Sequence, residues 1–264
     1  MIEKLPPGVI RLGGRIERTL PFLSPAIRRT VALRQVSDGV IAHGRGKGLR
    51  FNPGGANPGY VLGTTEPGVQ QALVELLEPG MTFYDVGANM GFFSMIAWRR
   101  VGLDGRVVSF EPLPESARTL RHNVVLNDAQ NVEVVEAAVA AQPGRAELAV
   151  TAESVQAHLA EIDTDAPTLG LVDVDVTTID AELAAGRSAP DVIKIDVEGA
   201  ELAVLEGMRG AFHRHPPKVI CELHGTNAEV CRYFEELGYR LDTVEKVADV
   251  RSHHGPVHLV AEPV

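Results

Sequence analysis

Residues 83–94 read Phe-Tyr-Asp-Val-Gly-Ala-Asn-Met-Gly-Phe-Phe-Ser, an apolar strand that ends in a carboxylate and turns through glycine into a helix. An open α/β sheet makes a nucleoside pocket in this way, at the carboxyl ends of its strands. Gly87 and Gly91 let the backbone approach a ligand with no Cβ in between, and the helix start offers unpaired N–H groups. A dinucleotide fingerprint would need a second glycine where this chain has Asn89. The loop therefore favours a smaller ligand than a dinucleotide.

A second strand, Arg106–Phe110, runs into Glu111 and stops at Pro112. In a βαβ unit the spacing from Gly87 to Glu111 brings the carboxylate to the tip of the neighbouring strand, where its oxygens can accept both hydroxyls of a ribose. Alone, Glu111 reads as a solvated strand-end charge. Paired with the glycine turn, it reads as a ribose ligand.

Helical and strand patterns alternate through the chain. Helices are predicted at 69–77, 92–100 and 114–126, and strands at 82–86, 106–110, 132–138, 191–195 and 218–223, with a final antiparallel hairpin from 239–244 and 256–261. The long crossovers suit a parallel, doubly wound α/β sheet. Residues 141–180 break the rhythm and read as an insertion above the strand ends, either a substrate lid or an inert embellishment.

With 264 residues, 45% of them hydrophobic, the chain can bury one full core. It has no 18-residue apolar run for a membrane span and no apolar leader, so the expected location is the cytoplasm. Cys221 and Cys231 fall in apolar patterns and read as reduced core thiols. Residues 1–50 hold ten Lys and Arg against three Asp and Glu, a charge of +7, which leaves −17 on the remainder of a chain whose net charge is −10. So acidic a body argues against a nucleic-acid partner. The basic segment 11–36 reads as short amphipathic helices broken at Pro21 and Pro25, capping the acidic domain or touching a lipid surface or another subunit. On this reading 1–59 is a basic helical and loop extension and 60–264 the α/β domain, with 141–180 inserted in it.

Further carboxylates gather downstream. Residues 191–201 carry a buried strand through Lys194 to Asp196, Glu198 and Gly199 and release into a helix. If the strand order reverses there, Asp196 and Asp85 face one crevice. In Val219-Ile-Cys-Glu222-Leu-His224, a period of two puts Glu222 and His224 on one face at the strand end. His224 could take a proton from a hydroxyl with Glu222 orienting it, or Glu222 could simply pair with Lys194 and His224 end the strand.

Four ordered motifs carry a resemblance: Asp85-Val-Gly-Ala-Asn-Met-Gly-Phe-Phe-Ser94, Val108-Ser-Phe-Glu-Pro112, Leu120-Arg-His-Asn-Val-Val-Leu-Asn127 and Ile193-Lys-Ile-Asp-Val-Glu-Gly-Ala-Glu-Leu202. Together they resemble the FkbM family of class I S-adenosylmethionine-dependent methyltransferases, over roughly residues 60–224. The resemblance implies a Rossmann-like seven-stranded sheet, mostly parallel with the last strand antiparallel. It implies S-adenosyl-L-methionine as cofactor and methyl transfer to a hydroxyl of a small-molecule or glycan acceptor, such as a sugar, a polyketide or a related natural product. Asp85 would hold the methionine ammonium, Gly87, Asn89 and Gly91 would shape the loop, and Glu111 would grip the ribose. Ala137 and Ala138 would border the adenine, and Glu66 would close over the methionine end. Asn123 and Asn127 would either contact the cofactor or cap a helix end. Asp196 and His224 are the candidate bases, with Glu198 and Glu222 in support. No metal ligand set is assigned, although oxygens of Asp196, Glu198 and Glu222 would suit a hard cation. Two rival readings share the sheet: a nicotinamide-dependent oxidoreductase, disfavoured by Asn89, and a noncatalytic binding subunit docking through its basic segment.

Overall fold

A computed structural model describes residues 37–264 apart from 55–58, 152–156, 160–167, 254 and 256. The helices expected at 11–36 lie outside the described residues.

A short antiparallel pair, β1 (Gly39–Val40) and β2 (Arg50–Phe51), leads into α1 (Gly59–Leu62) and α2 (Pro67–Leu76). The glycine turn joins β3 (Thr82–Val86) to α3 (Phe92–Val101), and β4 (Arg106–Phe110), α4 (Pro114–Leu126) and β5 (Val132–Val135) follow. Next come β6 (Ala138–Val139), β7 (Gly144–Thr151), β8 (Ala157–Leu159) and β9 (Thr168–Thr177), then α5 (Ile179–Ala184) and β10 (Val192–Ile195). The chain ends with α6 (Glu201–Glu206), α7 (Arg209–Arg214), β11 (Lys218–Leu223), α8 (Asn227–Glu236), β12 (Tyr239–Thr243) and β13 (Val257–Pro263).

Seven strands form the main sheet in the order β12-β13-β11-β10-β3-β4-β5, and β13 runs antiparallel to both of its neighbours. This is the Rossmann-like, doubly wound sheet that the motifs imply. The order reverses between β3 and β10, which pair in parallel with Lys194 opposite Asp85. Alternation of side chains sorts the core. Tyr84, Val108, Ile193 and Cys221 face α6, α7 and α8, while Phe83, Val107, Val192 and Ile220 face α2 and α3. The same parity sends Asp85, Lys194, Glu222 and His258 to the α2 and α3 side. Polar groups thus collect at the strand ends of one face, above a dry core.

The strand expected at 132–138 is two strands. Along β4 the donors to this neighbour include Val107, bonded to the carbonyl of Asn131, and Glu111, bonded to that of Val135. The next donor in the alternation would be Leu113, whose N–H instead goes to Glu111 Oε1 at 2.9 Å. With no rung to hold it, the chain leaves the main sheet, and Ala138–Val139 pairs with Val176–Thr177. The region read as an insertion contributes most of this second sheet, ordered β6-β9-β7-β8, whose Leu148 and Val174 pack on Leu113. Among the described residues no helix is long and apolar enough to cross a membrane.

Candidate active site

Asp85 is 1% exposed, at the tip of β3. Its Oδ2 accepts the Ser94 hydroxyl at 2.6 Å, and Ser94 in turn accepts from Ser109 at 2.9 Å. Oδ1 is buried with no hydrogen-bond partner. Burial raises the carboxyl pKa, against the pull of nearby Lys194 and Ser94. A buried acceptor of this kind can take a donor from a ligand or a water. The turn beyond it is tight: Gly87 has φ 80°, and a Cβ there would meet the Asp196 carbonyl oxygen at 1.8 Å. Asn89 also adopts a positive φ, 51°, and its Oδ1 is a second buried acceptor with no partner. Gly91, φ 82°, precedes the first residue of α3.

Glu111 lies where the spacing placed it. Each carboxylate oxygen takes one backbone N–H, Oε2 from Asn89 at 2.8 Å and Oε1 from Leu113 at 2.9 Å. Burial pushes its pKa up to about 7, although those two N–H groups favour the ionised form. Each oxygen keeps a free lone pair, which is the acceptor pattern that a vicinal diol requires. Ala137 and Ala138 do not end the third strand of the main sheet as expected: Ala137 is buried in the connection from β5 to β6, and Ala138 begins β6.

The acidic half of the site forms around Lys194 and two histidines. Lys194, 2% exposed, bonds Asp196 Oδ2 at 2.9 Å and lies 4.9 Å from the centre of the Phe93 ring. The carboxylates of Asp196 and Asp85 overcome its burial and hold it firmly protonated. Asp196 is raised by burial and lowered by Lys194, with a net upward shift. Glu222 is not paired with Lys194; its Oε1 and Oε2 lie 3.6 Å from His224 and 3.4 Å from His258. Burial opposes charge on Glu222, but the two imidazoles hold it well below the usual carboxylate range.

His224 Nδ1 bonds Oε1 of Glu201, which is 0% exposed and also accepts Thr226 and the Gly199 N–H. Its Nε2 lies 3.5 Å from Glu198. Burial works against the charged ring, yet Glu201 and Glu222 outweigh it and push the His224 pKa up to about 11. His258 is built alike: Nδ1 lies 2.7 Å from Glu245 Oε1, and Nε2 lies 3.4 Å from both Glu66 and Glu222. Glu66 stands in the left-handed region at φ 39°, immediately before α2.

The geometry therefore sets buried carboxylates at the tips of β3 and β4 beside a cluster of titratable side chains at β10, β11 and β13. The sequence profile of the methyltransferase FkbM domain matches residues 85–241, more than half of the chain. The chain belongs to the FkbM methyltransferase family. Among curated proteins, methyltransferase sdnD of Sordaria araneosa is 29% identical over 154 residues, 47% of this chain and 59% of that protein. An arsenite methyltransferase of Halobacterium salinarum is 42% identical over 57 residues, 22% of this chain and 15% of that protein. The chain thus matches less than two thirds of either relative's length. The crystal structure of methyltransferase FkbM from Methylobacillus flagellatus KT is similar with a TM-score of 0.49 at 20% identity, covering 89% of this chain and 57% of that one.

In this FkbM domain Asn123 and Asn127 face structure instead of a ligand. Asn123 accepts the Asn52 N–H at 2.6 Å and donates to the carbonyls of Asn52 and Met90, while Asn127 bonds both backbone groups of Arg50. Sequence reasoning assigns no role to Glu201 or His258. The signal was present for both: a glutamate entering a helix beside the Gly199 turn, and a histidine inside the apolar run of β13. Neither could be paired with its partner before the strand order was known.

Proposed function

We propose that the chain binds S-adenosyl-L-methionine and transfers its methyl group to a hydroxyl oxygen of a small-molecule or glycan acceptor. The observation that carries the first half is the buried, partnerless Asp85 Oδ1 beside the doubly anchored carboxylate of Glu111. An ammonium group satisfies the former and a ribose diol the latter, and Asn89 Oδ1 offers one further acceptor between them. Family membership supports the same reading. When bound, the sulfonium supplies an electrophilic methyl carbon; acceleration then comes mainly from alignment and exclusion of water.

The acceptor is read from the second cluster. His224, with its pKa near 11, is an imidazolium at neutral pH and donates instead of accepting, so Asp196 is the group that takes the hydroxyl proton. Lys194, 2.9 Å away, stabilises the Asp196 carboxylate in the ground state, and burial raises its basicity. Glu198 and Glu222 fix the imidazolium from its Nε2 side.

Calorimetric titration with S-adenosylhomocysteine against NADH tests the cofactor. Saturable binding of the first, lost in Asp85→Ala, is expected; binding of NADH alone refutes the reading. Transfer of labelled methyl groups to a panel of hydroxylated sugars and polyketides tests the acceptor, and transfer only to amines or carbon would refute a hydroxyl.

A further inference from the structure

The side chains around His258 form a constellation that adjoins the cofactor cradle, since Glu66 lies close enough to Asp85 and Lys194 to act on their charge. Glu66 arrives from the loop before α2, Glu222 from the end of β11, and His258 from β13, where it pairs in register with Glu222. One ligand atom from each lies within 4.8 Å of the other two. His258 is 6% exposed, and its Nε2 has no hydrogen-bond partner although two carboxylate oxygens stand 3.4 Å away. Burial works against a charged ring, but Glu222, Glu66 and Glu245 push the His258 pKa up to about 10, so an ion bound at this nitrogen displaces a proton from it. Glu66 Oε2, one of the pair, is itself a buried acceptor without a partner.

We propose that Glu66, Glu222 and His258 bind one divalent transition-metal ion of the zinc class. A tetrahedral ion with ligand bonds of about 2.1 Å has edges of roughly 3.4 Å, the separation found from Nε2 to each oxygen. Nitrogen in the set favours such an ion over magnesium or calcium, which prefer oxygen alone. The other ring nitrogen is already committed: Glu245 Oε1 takes His258 Nδ1 at 2.7 Å, and Glu245 Oε2 accepts the His258 backbone N–H at 2.9 Å. A carboxylate behind the distal nitrogen fixes the tautomer and orientation of a metal-binding imidazole. Three protein ligands leave a fourth position open, the pattern of a site that also takes water or substrate. His224 is arranged alike with Glu198 and Asp196, but its Nε2 is not an orphaned buried atom, so that second triad carries no assignment.

Uptake of the ion is measured directly, without turnover. The full chain is stripped with a chelator and titrated with Co²⁺, followed by its visible absorption. One equivalent should bind saturably, with Glu66→Gln and His258→Gln each weakening it at least tenfold, and Glu245→Gln by about tenfold or more. Circular dichroism and urea denaturation report whether each variant folds. If His258→Gln does not fold, Glu66→Gln decides, since that side chain is 32% exposed. No saturable uptake by the unsubstituted chain, or unchanged uptake by a folded Glu66→Gln variant, overturns the site. Either result leaves the cofactor reading standing.

Discussion

Glu111 Oε2 accepts the backbone N–H of Asn89 at 2.8 Å, so the carboxylate at the tip of β4 and the turn after β3 form one unit. The residue that would grip a ribose also holds the loop that would lie beside the methionine moiety. Glu111→Ala should therefore weaken S-adenosylhomocysteine binding by about 1–3 kcal/mol, a rise in Kd of roughly 5-fold to 150-fold by calorimetry.

The same carboxyl should make stability depend on pH. Its pKa is raised from 4.5 to about 7 by burial, so between those values the fold retains a proton that the unfolded chain has lost. The unfolded state then binds fewer protons, and this group's contribution to stability falls as pH rises from about 4.5 to about 7. Urea denaturation of Glu111→Gln, which loses the titration, should show its deficit against the unsubstituted chain narrowing across that window. A deficit that is constant or widens contradicts the assignment.

Asp85→Asn should separate binding from folding. The amide oxygen can still accept from Ser94, one buried carboxylate charge is removed, and Lys194 keeps its ion pair with Asp196. The expected result is at least a tenfold loss of S-adenosylhomocysteine affinity with a thermal midpoint that is preserved or raised.

Two glycines test steric contact against backbone strain. Gly87 and Gly80 both have positive φ, yet a Cβ at Gly80 meets nothing within 4 Å, whereas one at Gly87 strikes the Asp196 carbonyl. Gly80→Ala should cost about 1–2 kcal/mol. Gly87→Ala should cost more and abolish cofactor binding, as measured by urea midpoints and calorimetry.

Asn123→Ala should destabilise the fold by about 2–4 kcal/mol, since it strips three hydrogen bonds, a buried one to Met90 and two partly buried ones to Asn52. Denaturant unfolding measures the loss.

Local signals carried the cofactor half into the sequence reading. Asp85, the glycine turn and Glu111 lie within one βαβ unit, so their spacing fixes their geometry. The strands at 82–86, 106–110 and 218–223 were legible because each is apolar and bounded by turn residues. The break after Val135 was not, because it depends on Glu111 claiming the Leu113 N–H across another strand. Glu222 facing His258 was equally hidden: 36 positions separate them in the chain, and only the antiparallel register of β11 and β13 brings them together. Lys194 is the instructive case, a lysine in an apolar strand whose partner proved to be Asp196, two residues on, in place of the glutamate of the next strand.

The placement of β13 between β11 and β12 has a consequence for synthesis. When β12 emerges from the ribosome, the strand that will join it to the rest of the sheet has not yet been made. Half-finished molecules therefore expose a ready edge on β11, and they lack His258 as well. Closure of the sheet and completion of the acidic cluster become a single late event, which leaves an interrupted chain with an unpaired strand edge and half a cluster.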